Sequence, residues 1–449
     1  MVLMIKVVGM KASTYFYACS NKLFYFKERF MHPYLAKSWR AAFACENQTR
    51  FELDRLQEGK LSAVLNHTAK NVPYYRKWLE ERGIDLSKIK LSDFPIIEKK
   101  DIRGHEKEFV AEEWERKLLW SRTSGSTGEP FSFARAEYDY TYATLWRGLL
   151  RFGIRPGDRR VLVKGVDETA RVSRLTRLKR AVYGWINRCI VVDAHYLAKS
   201  EGNIEREIRR IMAYRPDYIH GYASSIYLLA RCAESLGIDC SAMKLKAVVT
   251  ESEKCHDFQR EVIERVFHTP VVENYGCVEF GMIAQPDRDG AMCINEDHVY
   301  VETTSSGEAI YTNLDEYGFP LIRFKNGDKI EVGGIHGRLP YRILSNVEGR
   351  VAEAIHLPQG GSLQGYVVMY PVSKHMRYLR EYQIYQPDIN HLLIRVVEAE
   401  KLPGEVEKQI LCEMRDIVGD GINLDIEKVQ SIPLTKRGKR TFVCSDVKE

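Results

Sequence analysis

The chain has 449 residues, 45% hydrophobic and 29% charged, with a net charge of +6. That length buries a large core and allows more than one domain. The mild positive charge permits anionic substrates but excludes a nucleic-acid footprint.

Met1 to Lys11 carries an apolar patch broken by Lys6, with no small-residue cleavage site after it. No apolar stretch approaches the roughly 20 residues that span a bilayer. Ten cysteines lie scattered with no CxxC pair, the pattern of reduced thiols in a cytoplasmic protein.

Residues 49 to 82 predict helix, with Phe51, Leu53, Leu56, Leu61, Val64 and Leu65 at helical spacing and a break at Val72-Pro73-Tyr74-Tyr75. Phe94-Pro95-Ile96-Ile97, followed by Lys99-Lys100-Asp101-Ile102, forms a second bounded element, so 1 to 110 reads as a mainly helical lead-in. From about 121 to 330, continuous apolar runs of buried-strand type (Val161-Leu162-Val163, Cys189 to Val192, Ala247-Val248-Val249) alternate with helical segments at 203 to 213, 224 to 236 and 256 to 267. This predicts an α/β fold with mostly parallel sheets. The composition changes near Gly349-Arg350. Beyond it, strands at Tyr382 to Tyr385 and Leu392 to Val397 and a helix at 404 to 418 predict a small α+β domain attached by a hinge. The expected organisation is therefore a large domain over 1–349 and a small one over 350–449.

The strongest local signal is Thr123-Ser124-Gly125-Ser126-Thr127-Gly128. Glycines let successive backbone N–H groups converge on an anion, and hydroxyls add donors without bulk. The run lacks the lysine of a Walker A motif. Alone, such a run is more often a plain surface loop.

Further motifs follow in order: Glu273-Asn274-Tyr275-Gly276-Cys277-Val278-Glu279, Leu321 to Asp328, Gly349-Arg350 and Thr435 to Arg440. Together they resemble the adenylate-forming acyl- and aryl-coenzyme A synthetase superfamily. Val72 to Arg76, Pro95-Ile96-Ile97, Ile294 to His298 and Tyr382-Gln383-Ile384 resemble its phenylacetate–coenzyme A ligase branch and that branch's capsule-biosynthesis relatives.

The resemblance implies a role for each matched residue. Thr123 to Gly128 would hold the ATP phosphates, and Asn274, Tyr275 and Gly276 would form the adenine side. Asp328 would accept the ribose hydroxyls, with Arg350 near ribose or phosphate. Glu279 would ligate Mg²⁺, and Lys439 would approach the α-phosphate during attack by a substrate carboxylate. Coenzyme A or a carrier is the implied acceptor, and a homodimer is compatible with the pattern. Taken singly, Tyr275 reads as a core aromatic, Glu279 and Asp328 as solvated loop acids, and Lys439 as part of a basic tail.

Two departures stand out. Ala352 occupies the place where the family often carries an acid after the hinge arginine, and Arg338 competes with Arg350. Some relatives bind a structural zinc; here Cys255, His256, Cys277, Cys293 and His298 are available, but no tight cysteine pair anchors them, so buried thiols are expected instead.

His220-Gly221-Tyr222 opens a helix and reads as part of a substrate pocket, or as a helix start capped by Ser224. Residues 171 to 188 set Val172, Leu175, Leu178, Val182 and Trp185 on one face against Arg171, Arg174, Arg177, Lys179 and Arg180. Such a face meets an anionic carrier, coenzyme A phosphate or a lipid surface, or is simply solvated.

The leading expectation is activation of a carboxylic acid as an acyl-adenylate, plausibly in surface polysaccharide assembly. The alternatives are a nucleotidyltransferase adenylylating a hydroxyl compound, as one relative does with a deazaflavin cofactor, and a non-catalytic binding module.

Overall fold

The structure, a computed structural model, describes residues 35–112, 114, 118–123, 131–135, 139–165, 174–350, 354–435 and 438–447. The chain divides into two compact units. One centres on Leu145–Glu273 and takes in Lys436–Lys439 from far along the sequence. The other comprises Ala41–Thr144, Asn274–Thr435 and Arg440–Glu449.

The first unit is built on a five-stranded parallel sheet. Its strands are β1 (Arg160–Lys164), β2 (Cys189–Asp193), β3 (Tyr218–Gly221), β4 (Ala247–Thr250) and β5 (Val271–Glu273), in the order β2-β1-β3-β4-β5. All four residues of β3 and of β4 are buried, as continuous apolar runs covered on both faces must be. Helices α1 (Arg174–Ile186), α2 (Glu201–Tyr214), α3 (Ala223–Ser235) and α4 (Asp257–Phe267) make the crossovers. The chain runs outward from β1 to β2, then returns to place β3 on the other side of β1. The C-terminal ends of β1 and β3 therefore flank a topological switch point, where open parallel sheets open a crevice.

The second unit begins with helices at Arg50–Asn71 and Pro73–Glu80. A Thr49–Glu52 capping box starts the first. Only Val72 separates the two, because Pro73 sits at a first helical position, where its missing N–H costs nothing. Leu53, Val64 and Leu65 are buried as the spacing predicts, but Phe51 is 69% exposed.

A seven-stranded, wholly antiparallel sheet follows. It is formed by β6 (Tyr275–Cys277), β7 (Gly281–Pro286), β8 (Met292–Ile294), β9 (Val299–Thr303), β10 (Glu308–Asn313), β11 (Phe324–Ile335) and β12 (Arg342–Arg350), ordered β9-β10-β11-β12-β8-β7-β6. The expected parallel sheet thus ends at Glu273. The loops beyond it are too short to carry crossover helices, and only hairpins can form. Ile97 docks the lead-in onto β11 through hydrogen bonds with Arg323 O (3.1 Å) and Lys325 N (2.8 Å).

Farther on, β13 (Leu379–Asp388), β14 (His391–Glu398), β15 (Asn423–Lys428) and β16 (Val443–Ser445) form a mixed sheet in the order β15-β14-β13-β16. Helix α5 (Gly404–Val418) lies between β14 and β15 in sequence and buries Ile410, Met414 and Val418. The fold is α/β with an α+β C-terminal segment.

Candidate active site

In the first unit the described candidates gather at the C-terminal ends of the parallel strands. His220 and Gly221 finish β3, and Glu251 and Ser252 follow β4. Lys439, more than 180 residues away in sequence, donates from Nζ to Ser252 O at 3.0 Å, with its ammonium 5.8 Å from the Tyr222 ring centroid. Gly438 permits this approach. Its φ is +76°, and a Cβ there would lie 2.7 Å from Gly165 Cα, just past the end of β1. The lysine is therefore held at the switch point and is not one more charge in a solvated tail.

The next residue, Arg440, belongs to the second unit and pairs with Glu381 of β13, both side chains being buried. Two adjacent cations are thus fixed by different parts of the molecule.

Near Lys439 a histidine meets a carboxylate. His220 Nε2 is 2.9 Å from Glu251 Oε2. Burial alone would raise the Glu251 carboxyl, but His220, Arg160 and Lys439 more than offset it and hold it down at about 2. Tyr222 is the N-cap of α3 and makes no side-chain cap bond. Ser224 is not the cap either, since it lies within α3. Its N–H is satisfied at 3.1 Å by Glu253, an acid that reaches in from the loop after β4. The acids at 251 and 253 went unremarked in the sequence, although their signal is an acidic run at the end of a buried strand.

In the second unit the motifs at 274–279 and 321–328 meet. Tyr275 donates from its hydroxyl to Asp328 Oδ2 at 2.8 Å and shares a 2.8 Å hydrogen bond with the hydroxyl of Tyr311. Burial, with Tyr311 and Asp328 alongside, pushes the Tyr275 phenol well above its usual range, so it stays a neutral donor. Asn326 also donates to Asp328 Oδ2, at 2.7 Å. Asp328 faces Arg350 across the β11–β12 ladder, while Arg338 is exposed in the connecting turn. Of Arg350 only the backbone is described. Tyr311 and Asn326 are site neighbours that strand alternation alone does not distinguish from structural residues.

Asn274 is buried. Its Oδ1 accepts from Gln285 at 3.3 Å, and its Nδ2 has no hydrogen-bond partner among the described residues, a donor of the kind a nucleobase edge uses. Gly276 and Gly221 sit where a Cβ would fall about on a carbonyl oxygen, 2.0 Å from Gly281 O and 1.9 Å from Val163 O respectively. Glu279 is buried, with Lys99 Nζ 3.6 Å from its Oε1, too long for a hydrogen bond. A carboxylate is the donor type that Mg²⁺ takes when phosphates complete its shell. Lys99 is a cation the sequence did not single out.

The phosphate-loop candidates Ser124, Gly125, Ser126, Thr127 and Gly128 lie outside the described residues, as does Ala352. Thr123 ends a strand, Leu119–Thr123, and pairs with Phe131 of the antiparallel strand Phe131–Arg135. The two edges of the candidate loop are thus held side by side.

Among the described residues, no three His, Cys, Asp or Glu side chains are grouped to hold a metal ion. The zinc candidates have other work. His298 meets Asp315 Oδ2 at 2.9 Å and Phe280 O at 2.8 Å. Cys293 packs with Cys45, Leu53 and Tyr341. Burial keeps the Cys277 thiol well above its usual range, and burial beside Glu273 lifts that of Cys255 to about 12. Burial lowers His256 to about 4. The rest of the Ile294–His298 motif is structural: Glu296, fully buried, bonds Arg50 and Arg342, and Tyr140 donates to Asp297 at 2.6 Å.

A family model for the CapK C-terminal domain matches residues 358–446. Protein CapK of Staphylococcus aureus is 25% identical over 422 residues, covering 88% of this chain and 90% of its own. The phenylacetate-coenzyme A ligase of Aromatoleum evansii is 27% identical over 315 residues, covering 63% and 67%. The chain is a homologue of CapK and of the phenylacetate-coenzyme A ligases. Among solved structures, 2-hydroxyisobutyryl-CoA ligase in the postadenylation state, in complex with R3-HIB-AMP, aligns with a TM-score of 0.71 at 19% identity, over 89% of this chain and 91% of that one. The fold is that of an adenylate-forming coenzyme A ligase.

Proposed function

We propose that the protein is an adenylate-forming ligase that activates a carboxylic acid with ATP. The carboxylate oxygen attacks the α-phosphorus, the bond to the bridging oxygen breaks, and pyrophosphate leaves. The observation that carries this reading is Lys439, returned by its own segment to the strand ends around the switch point and held at Ser252 O. An ammonium fixed there offsets the negative charge that develops during attack without having to be ordered first.

In the same reading, Asp328 is oriented by Tyr275 and Asn326 to accept the ribose hydroxyls, and Asn274 Nδ2 contacts the adenine edge. Thr123 to Gly128 receive the β- and γ-phosphates, with Arg350 near ribose or phosphate. His220, Gly221 and Tyr222 shape the acid's pocket. Glu279 would hold Mg²⁺, which neutralises phosphate charge when bound. In function, residues 350–449 act as a mobile small domain and residues 1–349 as the large one, a division that cuts across the two compact units. The acyl group then passes to coenzyme A or another acceptor, in the cytoplasm.

Homology to CapK supports a substrate from surface polysaccharide assembly. Pyrophosphate release assayed across a panel of carboxylic acids tests the reading. Acid-dependent release supports it, and release only with hydroxyl compounds assigns the chain to nucleotidyl transfer instead.

A further inference from the structure

Helix α1 takes no part in this chemistry, yet its surface is unusual. From Arg171 to Arg188 the sequence holds six arginines and lysines and no acid; the flanking acids are Glu168 and Asp193. The helix is fastened at its C-terminal end, where Gly184 lets the backbone close on Cys189, an added Cβ falling 2.9 Å from Cys189 O. Trp185 and Ile186 are half-buried there.

The turn just before it stands proud. Leu178 is 62% exposed, Val182 46% and Tyr183 64%, and Lys179 and Ala181 are exposed with them. Leu178 and Val182 are four residues apart, one above the other on a single helix face. Leu178 and Val182, two members of the apolar stripe read from the sequence, are therefore turned out. Val191 on β2, the edge strand of the sheet, is 42% exposed as well. Arg210, already paired with Glu207, donates to Val191 O at 2.6 Å along that edge.

A solvated face explains the charges but not the exposed Leu, Val and Tyr. A phosphate-bearing small molecule needs the arginines but has no use for an apolar stripe. A lipid surface uses both: side chains enter the acyl boundary while the cations meet anionic headgroups. We propose that α1 is a peripheral docking helix for a membrane surface rich in anionic lipid headgroups.

The test uses the full chain and flotation with vesicles of phosphatidylcholine alone or with about 30% phosphatidylglycerol, at about 0.1 M and about 0.5 M salt. Binding is expected only with phosphatidylglycerol and should weaken about tenfold at the higher salt. The double substitution Leu178→Glu/Val182→Glu, and separately Lys179→Glu/Arg180→Glu, should each weaken it about tenfold or more. Leu178, Lys179 and Val182 are exposed, so melting temperature and pyrophosphate release in solution should stay unchanged. No binding to phosphatidylglycerol vesicles, equal binding to both vesicle types, or binding indifferent to both α1 variants overturns the proposal. So does α1-dependent crosslinking to a purified acidic carrier protein without vesicle binding, which would make the helix a protein-docking element.

Discussion

Replacing Gly438 by alanine is expected to disable Lys439 without touching it. Gly438 has φ +76°, and a left-handed alanine costs roughly 1–2 kcal/mol. The new Cβ would also sit 2.7 Å from Gly165 Cα and 3.2 Å from Ala194 Cβ, an overlap of the kind that costs about 1–3 kcal/mol in a packed site. Together these give about 2–5 kcal/mol against the docked loop, a fall of about thirtyfold or more in its equilibrium constant at 1.36 kcal/mol per tenfold. Acid-dependent pyrophosphate release should drop by that factor. ATP binding by calorimetry should not change, because Asn274, Tyr275 and Asp328 belong to the other unit. Adding Gly438→Ala to Lys439→Ala should have almost no further effect, since both act through one ammonium. Release at the parental rate from Gly438→Ala, or an equal further loss in the double variant, would refute the reasoning.

Tyr275→Phe removes one of the described donors on Asp328 Oδ2; ATP should bind about fivefold to tenfold more weakly by calorimetry, with the melting temperature nearly kept. Glu296→Gln leaves Arg50 and Arg342 with an uncharged partner at a fully buried position, so urea denaturation should show about 3–5 kcal/mol less stability. Glu251, held at about 2 against an ordinary 4.5, contributes stability that is present above pH 4.5 and lost as the pH falls toward 2. Acid titration of Glu251→Gln should therefore show a flatter loss of stability across that window than the parent does.

Much of the fold was legible. Buried runs such as Ala247-Val248-Val249 have no polar alternation, and only a strand covered on both faces needs that pattern. The antiparallel sheet was not legible, because its short strands carry mixed burial. Val299–Thr303 does alternate buried and half-buried residues, but its Val-Tyr-Val opening is apolar on both faces, so the sequence shows no polar alternation there.

The pairing of Tyr275 with Asp328 was expected only as shared membership of one ordered motif set. Their hydrogen bond depends on β6 and β11 meeting through the intervening strands, which no local pattern encodes. Phe51 was misread for a simple reason. Helical spacing predicts that an apolar stripe exists, but not that anything in the chain covers it.

The most direct test of the account is Lys439→Ala, assayed for both acid-dependent pyrophosphate release and ATP affinity. Release should fall at least a hundredfold, about 2.7 kcal/mol of transition-state stabilisation, while ATP affinity changes less than about twofold. Parallel losses of release and ATP affinity would show that Lys439 serves nucleotide binding, and undiminished release would remove it from the chemistry.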